Sequence, residues 1–411
     1  MRFLLFTSLL LVAIIFFSCD AKIPNKQLKT GVWRGEITTQ SNEIPFLFEI
    51  TEANNSFRIN LLNGNEKLSM DILKIQGDSL IFNVHIFDVT IRAKIKNNTM
   101  EGTYSKNYAQ DYILPFKAIH GEKQLFKNIK SDSNFDGKWE TSFYTTEGKE
   151  TPAIGIFNTI DGELTGTFLT RTGDYRFLQG YALNDTMKLF TFDGNHLYKF
   201  TGVIKKDSIV SGQFWSGKTG YKNFLASKND TIELASNEVT FLKKEYDKIS
   251  FSFPGLDEKM VTLEDEKYKN KVVLLQIFGT WCPNCMDETK FLSQWYLENR
   301  KKEVEIIGLA YENKRKGKAD FGYAKSRVEN MKKKYNVEYE FLIAGTSSTK
   351  SVSNSLPMLS NVISFPTTIF IDKRGNVRKI HSGFSGPATG IYYDKFVQDF
   401  NSFMNELLME E

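Results

Sequence analysis

Cysteine, histidine and proline are scarce in this sequence. Its 411 residues include 3 Cys, 4 His and 9 Pro. A disulfide-rich scaffold devotes about 8–10% of a short chain to Cys, so that class of protein is excluded. Charge of one sign is lacking as well, because the net charge is only +4 and basic and acidic residues are interspersed. We therefore expect no nucleic-acid partner, since such proteins carry a basic face or an Arg-rich tract.

Hydrophobic residues are plentiful. They make up 41% of the chain, and 34 of them are Phe. This content fills sizeable cores and excludes wholesale disorder. The length corresponds to two or three domains at about 100–200 residues each.

The first 18 residues have the pattern of a targeting segment. Arg2 supplies an early positive charge, and residues 3–17 are an apolar run. That run is shorter than the roughly 18 residues expected of a membrane-spanning helix. A small residue, Ser18, stands directly before Cys19, and a polar stretch follows. Residues 1–18 are therefore predicted to be a secretory signal peptide.

The cysteine at this cleavage point resembles a bacterial lipoprotein signal, although Phe16 stands where that family usually has Leu. The resemblance implies that Cys19 becomes the N-terminus and is lipidated. It also implies a bacterial cell-envelope protein, anchored in a membrane through the lipid, with its catalytic domain in the periplasm or elsewhere outside the cytoplasm. An ordinary signal peptide with an incidental Cys is the alternative.

Two stretches after the signal segment resemble each other. "GVWRGEITTQ" begins at Gly31 and "GKWETSFYTT" begins at Gly137, so that Trp33 and Trp139 stand at matching positions. Short alternating apolar runs, separated by Asn-Gly and Asp-Gly turns, follow in both. We therefore predict two like all-β modules of barrel or sandwich type, at residues 28–120 and 134–228.

The pattern changes after a polar connecting segment at residues 229–248. Residues 271–278 are a continuous apolar run typical of a central parallel strand, and residues 286–302 have helical periodicity. Further strands and helices alternate up to a closing amphipathic helix. Residues 249–411 are therefore predicted to be an α/β domain.

This domain holds two of the three cysteines, in the stretch "GTWCPNCMDE". Cys282 and Cys285 admit three interpretations: a redox-active dithiol, half of a zinc site, or a structural disulfide. A structural zinc site needs four ligands, and His381 is the only histidine in the same predicted domain. We therefore expect no metal and no cofactor. An exported chain with a single dithiol and no disulfide framework favours the redox interpretation, and the structural disulfide remains its alternative.

The chemistry of the motif supports a redox role. A cysteine placed directly before a helix lies near unsatisfied N–H groups, which stabilise a thiolate at Cys282. Pro283 suits the first helical position, where no N–H is needed. Cys285 then lies one turn further in, close enough to form a disulfide with Cys282.

Trp281-Cys-x-x-Cys285, followed downstream by Pro366-Thr367-Thr368, resembles the thioredoxin fold, and within it the exported TlpA/ResA/DsbE-like thiol–disulfide oxidoreductases. The resemblance implies that Pro366 is cis and that the backbone of Phe365 pairs with substrate, beside Trp281. Gln276 stands where thioredoxin has a buried acid, and this group carries a Glu three residues after the second Cys. That position is Glu288, a candidate base, with a surface Glu favouring the first helical turn as the alternative.

The sequence thus predicts a lipid-anchored thiol–disulfide oxidoreductase, and the family likeness implies a disulfide reductase. Its partners would be disulfides or thiols of exported proteins and a membrane thiol that donates electrons. Two alternatives stay open. One is a thiol-dependent peroxidase, since peroxidases share this fold. The other is a ligand-binding or scaffolding lipoprotein whose β modules carry the function.

Overall fold

The computed structural model describes residues 28–54, 56–76, 79–127, 129–131, 133–234 and 239–410. The predicted signal peptide and Cys19 lie outside the described residues. Within the described residues no helix has the length and apolar character needed to cross a membrane.

The first β module is one antiparallel sheet of nine strands. They are β1 Gly31–Thr38, β2 Glu43–Ala53, β3 Ser56–Asn63, β4 Glu66–Ile72, β5 Lys74–Gln76, β6 Ser79–Val84, β7 Val89–Lys96, β8 Thr99–Lys106 and β9 Ile113–His120. Their order is β4-β3-β2-β1-β9-β8-β7-β6-β5. Among the described residues β4 pairs only with β3 and β5 only with β6, so this sheet is an open half-barrel.

The second β module also has nine strands. They are β10 Gly137–Tyr144, β11 Glu150–Ile160, β12 Glu163–Thr170, β13 Gly173–Asp174, β14 Leu178–Leu183, β15 Thr186–Phe192, β16 Leu197–Lys205, β17 Ser208–Ser216 and β18 Gly220–Lys228. Here β12 pairs with both β11 and β14, and β10 pairs with β18. These pairings close an eight-stranded barrel, with β13 as a short extra strand on β12.

The matching tryptophans occupy equivalent places in the two modules. Trp33 is the third residue of β1 and Trp139 is the third residue of β10, and both are fully buried. Each indole Nε1–H donates to the backbone oxygen four residues upstream, Lys29 at 3.0 Å and Phe135 at 2.7 Å. The buried polar end of each ring is thereby satisfied while its apolar body fills the core.

The C-terminal region is α/β, as the apolar runs predict. Its strands are β19 Phe253–Pro254, β20 Met260–Val261, β21 Val272–Phe278, β22 Val304–Glu312, β23 Glu340–Thr346, β24 Thr367–Ile371 and β25 Val377–Ser382. Its helices are α1 Pro283–Asn299, α2 Phe321–Lys334, α3 Thr349–Ser355 and α4 Ile391–Met409. The main sheet has the order β23-β22-β21-β24-β25. The predicted fold class, two all-β modules followed by an α/β domain, is confirmed.

The central strand of this sheet places the dithiol. All seven residues of β21 are buried, because β22 lies parallel on one side and β24 antiparallel on the other. The chain leaves the carboxyl end of β21 at Phe278 and starts α1 at Pro283. Cys282 therefore lies at the edge of the sheet where a strand ends and a helix begins, a common position for functional sites.

Both β modules contact the α/β domain. Asp88 of the first module accepts a hydrogen bond from Tyr323 Oη of α2 at 2.7 Å. Lys334, at the end of α2, donates to the backbone oxygen of Ser69 at 2.6 Å. The second module reaches the start of α1, as described below. The described part of the connecting segment also lies against the α/β domain, where Lys243 N donates to Met358 O.

Candidate active site

Cys282 is the N-cap residue of α1. Its backbone is extended, and its Sγ accepts a hydrogen bond from the backbone N–H of Cys285 at 3.2 Å. The first N–H groups of a helix have no partner inside the helix, and they stabilise a negative charge placed at its start. Both cysteines are free thiols, and the arrangement suits a thiolate at Cys282.

Cys285 lies one turn further into the helix and is shielded. It is 0% exposed, while Cys282 is 7% exposed. Burial raises the pKa of the Cys285 thiol well above its ordinary value, and the neighbouring Cys282 sulfur raises it further. A thiol with a raised pKa stays protonated and is a poor first nucleophile, so the geometry assigns different tasks to the two sulfurs.

The turn before β24 contacts Cys282 and its neighbour Trp281. The Phe365–Pro366 peptide bond is cis, and the Cys282 thiol donates to the Phe365 carbonyl oxygen at 3.4 Å. The ring of Phe365 meets the indole of Trp281 edge-on, with 5.3 Å between ring centroids. Trp281 Nε1 donates to the Tyr311 carbonyl at 2.9 Å, which fixes the indole beside the dithiol. The structure thus brings Trp281, Phe365 and Pro366 together around Cys282.

Glu288 is buried beneath the dithiol. It is 1% exposed. Its Oε2 accepts from Gln276 Nε2 at 2.9 Å, and its Oε1 accepts from Thr368 Oγ1 at 2.8 Å. Burial raises the pKa of Glu288 to about 7, against the lowering effect of these two hydrogen bonds. Its charge also raises the pKa of Cys285. A carboxyl poised near neutral pH beside a buried thiol is suited to proton transfer.

Comparison with known proteins matches the region that carries these residues. Residues 244–392 match the Redoxin family. The thiol-disulfide oxidoreductase ResA of Bacillus cereus (strain ATCC 10987 / NRS 248) is 27% identical over 169 residues, which cover 41% of this chain and 79% of the relative. ResA of Geobacillus thermodenitrificans (strain NG80-2) is 25% identical over 167 residues, with 41% and 79% covered.

The C-terminal domain has a thioredoxin-like fold and is similar to the TlpA/ResA/DsbE-like thiol–disulfide oxidoreductases. These relatives support a thiol–disulfide oxidoreductase activity for this domain. Among solved structures, a thiol:disulfide interchange protein of the thioredoxin family from Chlorobium tepidum TLS is similar at 20% identity, with 39% of this chain and 95% of that chain covered and a TM-score of 0.29. The Redoxin match begins after the two β modules.

A second buried acid supports the loop of this thioredoxin-fold domain. Glu312, at the end of β22, accepts hydrogen bonds from the backbone N–H and the hydroxyl of Thr280, both at 2.7 Å. Burial raises the pKa of Glu312 to about 6. The carboxylate fixes the loop two residues before Cys282. The sequence pattern did not single out Glu312, because nothing in β22 distinguishes it from a strand-end surface residue.

Two residues of the second β module contact the dithiol loop, and no sequence motif predicts them. Asn195 Nδ2 donates to the Trp281 carbonyl at 2.8 Å, and Arg176 Nη1 donates to the Pro283 carbonyl at 3.2 Å. Both residues belong to the second β module, more than 80 positions from the dithiol in sequence. Neither stands in a recognisable motif, and the Asp193-Gly194 turn next to Asn195 indicated only a hairpin.

Proposed function

We propose that this protein is a disulfide reductase that is tethered to a membrane through lipid on Cys19 and acts on exported proteins with its Cys-Pro-Asn-Cys dithiol. The observation that carries the proposal is the unequal placement of the two sulfurs. Cys282 caps α1 and receives the Cys285 N–H, while Cys285 is fully buried behind it.

The reaction proceeds by two thiol–disulfide exchanges. The Cys282 thiolate attacks one sulfur of a substrate disulfide, the substrate S–S bond breaks, and the second substrate sulfur leaves as a thiolate that takes up a proton. A mixed disulfide now joins the substrate to Cys282. Cys285 then loses its proton and attacks the Cys282 sulfur, which releases the remaining substrate thiol. The enzyme is left with a Cys282–Cys285 disulfide, and the substrate has gained two electrons and two protons.

Glu288 is the base in the second exchange. The raised pKa of Cys285 means that this thiol needs help to ionise. Glu288 is buried next to it, and its own pKa of about 7 lets the carboxylate take up and return a proton near neutral pH. Gln276 and Thr368 hold the carboxylate in place from β21 and β24.

Trp281, Phe365 and Pro366 form the substrate-binding surface. The Phe365 carbonyl oxygen lies 3.4 Å from the Cys282 sulfur. A substrate peptide lying across this turn brings its disulfide to the same sulfur, and the family likeness supports pairing with the Phe365 backbone. The Trp281 ring packs against Phe365 and forms an apolar wall beside it.

A membrane thiol donor closes the cycle by reducing the Cys282–Cys285 disulfide, so that the net direction is reduction of exported proteins. The first test is turnover of a protein disulfide with dithiothreitol as the electron source, beside a parallel assay of hydrogen peroxide consumption. We expect disulfide reduction and no peroxide turnover above the Cys282→Ser control. Peroxide turnover that depends on Cys282 would favour the peroxidase alternative.

Tethering and substrate are tested in cells. Intact-mass analysis of the purified chain should give an N-terminus at Cys19 with added acyl mass. An N-terminus elsewhere, or Cys19 without acyl mass, would contradict the anchor. A Cys285→Ala chain should accumulate mixed disulfides with exported proteins, since it lacks the sulfur that releases them. A Cys282→Ala chain is the matched control and should capture none.

A further inference from the structure

The second β module contacts the chain on both sides of Cys282. Trp281 and Pro283 are the two neighbours of Cys282 in sequence, and each gives its backbone carbonyl to a side chain of this module. Trp281 O accepts from Asn195 at 2.8 Å, and Pro283 O accepts from Arg176 at 3.2 Å. The 7% exposure of Cys282 therefore reflects burial by another domain as well as by its own.

Residues 172–177, here called the cover segment, lie on the loops around the dithiol. The Asp174 backbone oxygen accepts from Asn284 Nδ2 at 3.1 Å, within the Cys-x-x-Cys motif itself. The Asp174 carboxylate accepts from the backbone N–H of Gly386 at 2.6 Å. At Gly383, a Cβ atom would lie 2.4 Å from the backbone carbon of Thr172. The cover segment thus fills the space between the dithiol loop and the turn after β25.

Arg176 holds the cover segment down. Its side chain is 2% exposed and ion-paired with Glu66 of the first module, with Asp287 of α1, and with Asp193 of the second module at 3.4 Å. Charged side chains are buried to this extent only when paired. The backbone of Arg176 has a φ of 60°, a conformation that is uncommon for a bulky residue and persists where the surroundings fix it. One guanidinium therefore joins all three domains beside Cys282.

We propose that the second β module selects which disulfides reach Cys282: the cover segment, fixed by Arg176, excludes protein disulfides until it is displaced and admits small reagents. This inference rests on the proposed function in taking Cys282 as the attacking sulfur. A protein disulfide must bring its flanking backbone to Phe365 and Trp281. Residues 172–177 contact Asn284 and Gly383, and Gly383 N donates to the carbonyl of Pro366, the residue after Phe365. A small reagent needs access to the sulfur alone.

The test compares two maleimides of the same chemistry on the full-length reduced chain. One is N-ethylmaleimide, and the other carries a polyethylene glycol chain. Modification of Cys282 is followed by peptide mass mapping. Gly383→Ala introduces a Cβ that would clash with the backbone of Thr172, and it removes none of the side chains that pair with Arg176. Gly317→Ala is the matched control, because its φ of 80° equals that of Gly383 (81°) and its Cβ would meet no atom within 4 Å. Arg176→Met removes the ion pairs directly.

Gly383→Ala and Arg176→Met should each raise the rate with the polymer-bearing maleimide at least about tenfold, as expected for a shift in a closed–open equilibrium. The rate with N-ethylmaleimide should rise by less than about threefold, and Gly317→Ala should match the unsubstituted chain. Unchanged polymer rates, or equal rises for both reagents, would overturn the inference. Gly383→Ala keeps the test decisive where Arg176→Met does not fold. Alkylation needs no turnover, so failure of the proposed function is seen separately, as disulfide reduction that persists in Cys282→Ser.

Discussion

The two β modules carry the same hairpin and use it differently. In the first module, β3 and β4 pair along most of their length, down to Asn63 opposite Glu66. In the second module, β13 is only two residues, Gly173–Asp174; it lies within the cover segment, and the residues that follow it leave the sheet. Because β13 is short, β14 pairs directly with β12 and the second barrel closes. In the first module β5 has no such contact, and the sheet stays open.

The two hairpins differ in how directly they contact the loop that carries the dithiol. The full-length hairpin of the first module contacts the α/β domain through the Ser69 carbonyl and Lys334, and it reaches the cover segment through the ion pair of Glu66 with Arg176. The shortened hairpin of the second module places Asp174 and Arg176 on the Cys-x-x-Cys motif itself. Shortening one strand therefore frees backbone to reach the dithiol and closes the barrel that holds this backbone in place.

Both hairpins lie near one attacking sulfur, that of Cys282, and they affect its access to substrate unequally. Cys282→Ser should therefore reduce turnover of a protein disulfide to the uncatalysed background, because no attacking thiolate remains. Cys285→Ser should also lose turnover, but only after one rapid round of attack. Stopped-flow measurement of the released substrate thiol separates the two, and a Cys282→Ser chain with a normal burst would remove the basis of the comparison.

The shared tryptophan should be equally important in both modules. Trp33→Ala and Trp139→Ala each leave a large cavity and an unpaired backbone carbonyl, so each should lower the free energy of unfolding by about 3–5 kcal/mol. Denaturant unfolding of the full chain, followed by fluorescence and circular dichroism, measures both. A loss near zero for either variant would show that its tryptophan does not stabilise the core of that module as its counterpart does.

Glu288→Gln tests the buried acid, whose hydrogen-bond partners Gln276 and Thr368 belong to the α/β domain. In the unsubstituted chain, resolution of the mixed disulfide should speed up as pH rises through about 7, because the ionised carboxylate is the base. Glu288→Gln keeps the volume and loses this rise, and it should slow resolution by about 100-fold at pH 8. The rate of the first attack should change much less. Identical pH profiles for the two chains would return Glu288 to a structural role.

The same variant has a second readout in stability. Because burial raises the pKa of Glu288 above its unfolded value of 4.5, the neutral form favours the folded state and ionisation opposes it. The stability that the neutral carboxyl contributes is present at low pH and lost as pH rises through about 7. Glu288→Gln should therefore melt at a higher temperature than the unsubstituted chain at pH 8 and at the same temperature near pH 4.

The smallest effect is expected at the contact of the first hairpin. Lys334→Ala removes one hydrogen bond to Ser69 O and should cost about 0.5–1.5 kcal/mol of stability. Alkylation of Cys282 should stay within about twofold of the unsubstituted rate, since the substitution removes none of the side chains that bond to the cover segment. A large increase in alkylation by the polymer-bearing maleimide would give the first hairpin the same controlling role as the second.

The α/β domain was predicted most accurately from the sequence. All residues of β21 are buried, and a continuous apolar run is typical of such a central strand. The Trp33/Trp139 repeat likewise predicted two like modules. Closure of only the second barrel was not predictable, because it depends on pairing between β12 and β14 and not on local pattern. Helix α3 was also missed, since its Ser-rich sequence resembles a loop.

Two residues, Arg176 and Glu288, show why the rest of the candidate site could not be predicted from the sequence. Arg176 has the pattern of a surface residue, and its burial arises from carboxylates at Glu66, Asp193 and Asp287, which are far apart in sequence. Glu288 stood equally for a base or a surface residue. Its buried carboxylate accepts hydrogen bonds from Gln276 and Thr368, which lie on two strands distant from Glu288 in sequence. Periodicity describes one segment at a time and does not report such contacts.

The proposed roles of the two cysteines are tested most directly by identifying the sulfur that bonds to substrate. The Cys285→Ser chain is mixed with a protein disulfide and quenched in acid, and intact mass and peptide mapping then locate the adduct. We predict one mixed disulfide, at Cys282, formed at a rate close to that of the unsubstituted chain's first step. Absence of an adduct from Cys285→Ser, together with a stable adduct at Cys285 in the Cys282→Ser chain, would contradict it.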